Sequence, residues 1–592
     1  MQNFSLQKNK GKKIGEFNTL IPYLRKHKIA LLFGSIFTIF TNVIALYSPL
    51  ILKQIIDFLQ EKASKEVILE QVWIFLGIAF ISGVFKFAMR QTTVVVSRKI
   101  EFEFLNDYLK HLQSLPISFF NKNRTGDLMA LGTNDLSSVR NVLGPGIMYT
   151  TNTLVTFCTA LYFMIGISST LTFFALLPFP LMSILTWSLI RVNHKNTALK
   201  QEQFGRINST AQENLSGIRV IKAYVQEALE IQKFDKLSFD YLKKNMAVTI
   251  VSGGMHAGLA FLTALGFCGI LWVGGKMVIT GEITLGSFVA FNTYLTMLVW
   301  PMIAFGWVMN IFQQGYTSLG RINKVLHTIP DEENVTEKLD KNSPIDIEFK
   351  NVSFGYEPNE TVLQNINLKL PAGTSLGIVG KIGSGKTSLV NLLSRLYEVG
   401  EGEILLNGKN IQSYTLKDVR EIIGCVLQET FLFSDSIANN IRFGVPDEQM
   451  DKVLETAELS QLKENIDEFP MKFETILGER GITLSGGQKQ RTAIARALIK
   501  QPKVLILDDS LSAVDTQTED EILKGLKKVM ESRTTLIVAH RISTVQNCDK
   551  IIVIEEGKIS EEGTHEELLN LGGTYFEFHE RQLLQEELVE TE

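Results

Sequence analysis

Six long apolar stretches precede residue 320, at about 29–51, 70–90, 141–166, 169–190, 248–274 and 283–311. A helix rises about 1.5 Å per residue, so about 20 residues cross a hydrocarbon core roughly 30 Å thick. One such stretch could be the buried helix of a soluble domain. Six in one half of a chain predict a membrane domain. Pro49, Pro145, Pro178, Pro180 and Pro301 lie inside or at the edges of these stretches. Membrane helices tolerate proline where neighbours re-satisfy the freed backbone groups.

The connections alternate in character. Those at 52–69, 167–168 and 275–282 are short. Those at 91–140 and 191–247 are long and basic, with Arg98, Lys99, Arg124, Arg191, Arg206, Arg219 and Lys222 among them. An excess of Lys and Arg marks cytoplasmic segments, so the long connections and both termini are expected in the cytoplasm. The polar, basic segment 1–28 reads as cytoplasmic rather than as a cleavable signal. Apolar positions scattered through 100–112 and 204–225 predict helices that continue out of the membrane. Two pieces, Asn123-Arg124-Thr125-Gly126-Asp127 and Asn214-Leu215-Ser216-Gly217-Ile218, combine polar groups with a glycine turn. They read either as solvated turns or as docking pieces for another domain. Lys86 and Arg90 end the second stretch and read as snorkelling side chains. His256, Asn292, Trp307 and Asn310 read either as cavity lining or as helix contacts and interfacial anchors.

The pattern changes after Thr328-Ile329-Pro330-Asp331-Glu332-Glu333, the start of an acidic linker at 328–344. Short β-rich runs at 345–354, 362–370, 374–380, 403–406, 422–427, 503–507, 534–539 and 549–555 then alternate with helical ones. They predict an α/β domain with a mainly parallel core sheet and an antiparallel β flank. The expected division is a segment 1–28, six transmembrane helices with long cytoplasmic extensions in 29–327, the linker, the α/β domain 345–585 and a tail 586–592.

Composition agrees with this picture. The chain is 45% hydrophobic and 21% charged, with a mean hydropathy of +0.11. A net charge of -4 gives no reason to expect nucleic acid. Cys158, Cys268, Cys425 and Cys548 are too scattered for a metal or redox motif.

The chemistry lies in the second half. Gly380-Lys381-Ile382-Gly383-Ser384-Gly385-Lys386-Thr387 follows an apolar strand at 376–379 and opens a helix at Ser388. Such a turn aims successive N–H groups and a helix N-terminus into one small volume suited to polyphosphate. Lys386 reaches the outer phosphates and the Thr387 hydroxyl sits on Mg²⁺. A buried strand ends in Asp508 and Asp509; the first can hold Mg²⁺ and the second can orient the attacking water. Leu484-Ser485-Gly486-Gly487-Gln488 forms a second anion-binding turn before a helix. Two cradles in one chain make sense if the second serves a nucleotide held by another subunit. Tyr356 can stack on adenine, Gln428 can touch Mg²⁺ and a moving partner, and His540 at a strand end can reach the γ-phosphate.

Together these residues closely resemble the ATP-binding cassette transporters, over roughly 20–585. The resemblance makes 380–387 the Walker A loop, Ser485 to Gln488 part of the signature, and Asp508 the end of Walker B. Gln428 becomes the Q-loop, His540 the switch histidine, Tyr356 the adenine-stacking residue, and Ser512-Ala513-Val514-Asp515 the D-loop. Thr475-Ile476-Leu477-Gly478-Glu479-Arg480-Gly481 looks like the extra loop of exporters. Six spans ahead of one cassette is the exporter half-transporter layout, and the resemblance makes that cassette an α/β P-loop ATPase domain with a helical subdomain. It implies two cassettes closing head to tail, each ATP between one chain's Walker A and the other's signature. It also turns the two glycine-bearing pieces into coupling helices, the first, near Gly126, expected to cross to the partner cassette.

One position departs from the family pattern. The residue after the Walker B aspartate is normally a catalytic glutamate, and here it is Asp509. The surroundings look like one subunit of the bacterial heterodimeric multidrug-type exporters. The implied function is ATP-driven efflux of amphipathic small molecules across a bacterial cytoplasmic membrane, with ATP and Mg²⁺ as cofactors and a second, glutamate-bearing chain as partner. The alternatives are a lipid or lipid-precursor flippase with the same engine, or a homodimeric exporter.

Overall fold

The computed structural model describes residues 15–330, 335–357, 360–478, 481, 484–514 and 516–590. It separates into two compact units. One comprises Met1–Gln113 with Arg124–Thr328, the other Ser114–Asn123 with Ile329–Glu592.

The first unit holds six helices long and apolar enough to cross a membrane: Lys28–Gln60, Lys65–Gln113, Thr125–Ile167, Ser169–Ser216, Glu227–Ile279 and Leu285–Leu326. Each coincides with one of the six apolar stretches. The second has 49 residues and the fifth 53, so at about 1.5 Å per residue they run roughly 45–50 Å beyond a hydrocarbon core. The expected helical extensions are therefore present. The third helix carries two π turns, Leu131–Asp135 and Val142–Gly146. The second of these contains Pro145, which cannot donate an N–H to a regular ladder. The packed centre combines Leu46, Ala160, Met164, Leu171, Ile270, Phe291 and Leu298 with the buried Tyr294, whose hydroxyl donates to Leu46 O at 2.7 Å. Asn42 joins two spans: its side chain donates to Thr38 O at 2.7 Å and accepts from Thr156 Oγ1 at 3.1 Å. Such bonds hold apolar helices in register. Trp307 meets Tyr149 edge-on at 4.9 Å, which makes it a helix contact.

Among the described residues, the second unit contains ten strands. β1 (Ile347–Phe354), β2 (Leu363–Leu370), β4 (Glu401–Leu406) and β5 (Lys409–Asn410) form an antiparallel sheet in the order β2-β1-β4-β5. β3 (Ser375–Val379), β6 (Ile423–Val426), β7 (Val504–Asp508), β8 (Thr534–Val538), β9 (Lys550–Glu555) and β10 (Lys558–Gly563) form the second, in the order β10-β9-β3-β8-β7-β6. It is parallel from β9 to β6, with β10 antiparallel at the edge. Phe349, Ile366, Ile378, Leu389 and Ile506 fill the space between the sheets. Ile494, Leu498, Leu505, Ile522 and Val545 cover the other face. Leu432, Ile437, Ile441, Val453, Ile466 and Leu484 close a separate helical core.

The second half of the linker packs on the cassette. Leu339 is buried in the cassette core, and Thr336 N and Glu337 N both donate to Ser413 O, at 3.0 and 3.1 Å. Asp331, Glu332 and Glu333 lie outside the described residues. The segment just before the first docking piece rests on this chain's own cassette. The short helix Ile117–Lys122 belongs to the second unit. There Asn121 Nδ2 donates to Tyr397 Oη at 2.6 Å, and Lys122 lies 3.5 Å from Glu357. At the second piece, Leu215, Ile218, Val220 and Tyr224 are exposed.

Candidate nucleotide site

Strand β3 is buried at every position and delivers the chain into the glycine turn. Gly380 has φ 153° and Gly385 φ 105°. A Cβ at Gly380 would lie 2.3 Å from Ile554 O, and one at Gly385 2.7 Å from Leu363 Cδ2. Only glycine fits such positive-φ, crowded positions. Lys386 opens the helix Lys386–Leu393 and curls back over the loop. Its Nζ donates to Gly380 O at 2.8 Å and Lys381 O at 2.9 Å. Burial holds the Lys386 ammonium below the ordinary lysine range, while Asp508 and Asp509 pull it the other way. Ile382 points outward at 90% exposure.

Side-chain oxygens from the loop after β3 and from the end of β7 face this site. Thr387 Oγ1 donates to Asp508 Oδ1 at 3.3 Å. Asp508 Oδ2 and Ser384 Oγ are buried and have no hydrogen-bond partner among the described residues. Buried oxygens without partners are costly unless something completes them. A carboxylate and hydroxyls on a hard, oxygen-only wall suit Mg²⁺ and phosphate. Burial pushes the Asp508 carboxyl above its ordinary range, against the Thr387 hydrogen bond. Ser388 Oγ is 2.9 Å from Tyr356 Oη. The Tyr356 ring is partly exposed and meets Phe354 and Tyr397 edge-on at 4.9 and 5.0 Å.

Asp509 adopts φ 47°, a left-handed conformation uncommon outside glycine and often found at functional sites. Its backbone is fixed on both sides. Its N–H donates to Val538 O at 2.9 Å, and its carbonyl accepts from Ser512 Oγ at 3.0 Å and Gln490 Nε2 at 3.4 Å. Asp509, Glu519, His540, Arg541 and Thr544 line one cavity of about 70 Å³. The structure thus brings the two residues from β7 and β8 together. Gln428 follows β6, beside β7 in parallel register. It is exposed, and no hydrogen bond among the described residues joins it to Thr387 or Asp508.

The second glycine turn is pre-formed. Ser485 caps the helix Gly486–Leu498 in a reciprocal capping box with Gln488, at 3.2 and 2.9 Å. A Cβ at Gly487 would sit 3.0 Å from Ala513 O. No hydrogen bond among the described residues joins residues 485–488 to 380–388. Glu479, Arg480 and Asp515 lie outside the described residues. Three partners escaped the sequence reading. Tyr397 supports Tyr356, and Gln490 bonds Ser512 Oγ at 3.2 Å and Ala513 N at 3.0 Å. The third, Glu519, is only 2% exposed. It shares a helical face with the buried Ile522 and Leu526, so a carboxylate in an apolar row was its signal.

Residues 31–302 match the ABC transporter transmembrane region and residues 363–512 match the ABC transporter family model. The chain is 37% identical to a probable multidrug resistance ABC transporter ATP-binding/permease protein, YheI of Bacillus subtilis, over 97% of each chain. It belongs to the ABC transporters. The same transporter is 31% identical to an ATP-dependent lipid A-core flippase of Haemophilus influenzae, over 98% of this chain and 100% of the relative. A bacterial Atm1-family ABC exporter with ATP bound shares its structure at a TM-score of 0.78 and 26% identity, covering 95% of this chain and 99% of the exporter. As an ABC transporter it is a multi-pass membrane protein whose cassette binds ATP and couples hydrolysis to transport. ABC exporters of this kind act as dimers within the bilayer.

Proposed function

We propose that this chain is one half of a heterodimeric exporter of amphipathic small molecules, and that its own ATP site is the slow one. It works in a bacterial cytoplasmic membrane with both termini inside. The multidrug name carried by YheI supports the cargo class. The observation that carries the asymmetry is the anchoring of Asp509. Aspartate is one methylene shorter than glutamate, so its carboxylate falls about 1 Å short, a misplacement that can cost about a hundredfold in rate. A backbone shift could offset that. Here the Asp509 N–H is held by Val538 and its carbonyl by Ser512 and Gln490, which resists such a shift.

The residues take these roles. The loop from Gly380 to Ser388 cradles the phosphates, with Lys381, Ile382, Gly383, Ser384 and Gly385 contributing backbone and hydroxyl contacts. Lys386 exchanges its two carbonyl partners for phosphate oxygens. Tyr356, braced by Tyr397, stacks on the base. Thr387, Asp508 and Gln428 would hold Mg²⁺, which would offset charge on the phosphates. Asp509 orients water and His540 meets the γ-phosphate. Ser485, Gly486, Gly487 and Gln488 address the nucleotide on the partner. The exposed apolar residues from Leu215 to Tyr224 support giving the crossing role to the second coupling piece. A lipid flippase is the second reading, favoured by the near full-length match to the lipid A-core flippase.

The test is ATPase activity of the purified chain in lipid, alone and with a glutamate-bearing partner, stimulated in parallel by dyes, peptides and lipids. Weak activity alone, raised by Asp509→Glu, is expected. Fast turnover by the unmixed wild-type chain, unchanged by that substitution, would remove the asymmetry.

A further inference from the structure

The loop that carries His540 is fastened from outside the nucleotide site. Upstream, Ala539 N–H donates to Ile378 O at 3.2 Å, which ties the loop to the sheet. Downstream, the chain enters the short helix Ile542–Val545, whose N-cap residue Arg541 makes no side-chain cap bond. The first N–H groups of a helix need acceptors from elsewhere. Here one comes from a residue 40 positions away: Gln582 Oε1 accepts from Ile542 N–H at 2.7 Å. The Nε2 of the same amide donates to His540 O at 2.6 Å. One planar group therefore bridges the two peptides that flank Arg541.

Gln582 is itself well supported. It sits on the helix Thr574–Glu590. At the start of that helix Thr574 N and Tyr575 N donate to the Glu561 carboxylate at 2.5 and 3.1 Å. Tyr575 is fully buried, its hydroxyl 2.7 Å from His565 Nδ1. Glu519 makes a second tie to the loop, accepting from Arg541 Nη1 at 2.8 Å and from the Thr544 hydroxyl. That tie grips side chains. Gln582 holds the backbone of His540.

We propose that Gln582 is a positioning residue for ATP hydrolysis, fixing the His540 peptide so that the imidazole meets the γ-phosphate. The inference rests on the role given to His540 above. A glutamine amide accepts and donates at once, as both bonds require. Asparagine is one methylene shorter. Glutamate keeps the bond from Ile542 but turns an acceptor toward the His540 carbonyl. Methionine keeps the length and loses both bonds.

The test is a double-mutant cycle on the full-length chain in lipid nanodiscs, run in the wild-type and Asp509→Glu backgrounds. Gln582→Met is expected to lower kcat about tenfold, since small displacements of a catalytic group are expensive. KM for ATP should stay within about twofold, because the phosphate loop is untouched. Gln582→Glu should fall between. With His540→Ala already present, Gln582→Met should add no more than about twofold, because residues acting as a unit are non-additive. Equal losses with and without His540 would overturn the inference. So would a fall in folded yield or Tm with kcat per folded molecule unchanged. If His540→Ala alone changes nothing in either background, the role of His540 fails and the clamp with it. If His540→Ala matters and Gln582→Met is simply additive, only the clamp fails.

Discussion

Thr387 Oγ1 lies 3.3 Å from Asp508 Oδ1, although 121 residues separate the two in sequence. Parallel strands with β8 between them carry both to the same end of the sheet. Asp508 Oδ2, buried and without a hydrogen-bond partner among the described residues, would help hold Mg²⁺ in the proposed mechanism. Asp508→Asn should abolish metal-dependent hydrolysis, with a loss on the order of 10²–10³, comparable to removing a preorganised group at developing charge. ATPase assays across Mg²⁺ concentrations check this.

The same carboxylate makes a stability prediction with opposite sign. Burial raises the folded Asp508 pKa above its unfolded value. The stability it contributes is full below the unfolded pKa and is lost as pH rises through the folded one. In metal-free solution Asp508→Asn should therefore raise Tm near neutral pH and by less in acid. Saturating Mg²⁺ and nucleotide should reverse the order, since a ligand that binds only the folded state stabilises it. Thermal melts at several pH values, with and without metal, give the comparison.

Lys386 contributes in the opposite direction along the pH axis. Burial lowers its folded pKa, so the unfolded chain binds more protons above the folded pKa and below the unfolded one, and stability rises with pH there. Lys386→Met should remove that rise and, by taking away the phosphate partner, weaken ATP binding by at least about tenfold, the loss of one charge-assisted contact. Melts on the alkaline side and nucleotide titrations test the two halves separately.

In the mixed pair the two ends of this chain should not matter equally. Replacing Gly487 with aspartate places a side chain 3.0 Å from Ala513 O and a negative charge at an anion site. That should cut ATPase of the pair by more than about tenfold, since a wrongly signed charge costs several kcal/mol. Lys386→Met in this chain should cost much less, because it damages the site that is already slow. Equal losses would point to two equivalent sites.

The docking contact is testable apart from catalysis. Asn121→Ala removes the 2.6 Å bond to Tyr397, a loss of about 1 kcal/mol for an ordinary hydrogen bond. Transport per ATP hydrolysed should fall in vesicles while nucleotide binding is retained. Tyr397→Phe should match it.

The layout was legible because both periodicities are strong. Apolar runs of membrane length marked the six spans, and buried strands such as Val504–Asp508, apolar but for their final carboxylate, marked the core sheet. β10 was missed because its sequence, KISEEG, is polar and lies at a sheet edge where burial imposes no apolar run. The burial of Leu339 was hidden for a related reason: it is an isolated apolar residue among polar ones. Within the site, the glycine turns and the carboxylate pair were readable because their chemistry is local. Tyr397, Gln490, Glu519 and Gln582 were not, because each acts across long sequence separations. Which surface covers the first docking piece was not readable, because nothing in a turn's own residues states it.

The left-handed backbone at Asp509 has a genetic corollary. Its N–H and carbonyl partners, Val538, Ser512 and Gln490, are all indifferent to what the side chain is. Glutamate would inherit the same scaffold, and its codons differ from those of aspartate only in the third base. Under the proposed asymmetry a single point mutation lies between a timing subunit and a fully firing one, so whatever would keep this chain on the slow side would act on the transporter's behaviour rather than on its ability to fold.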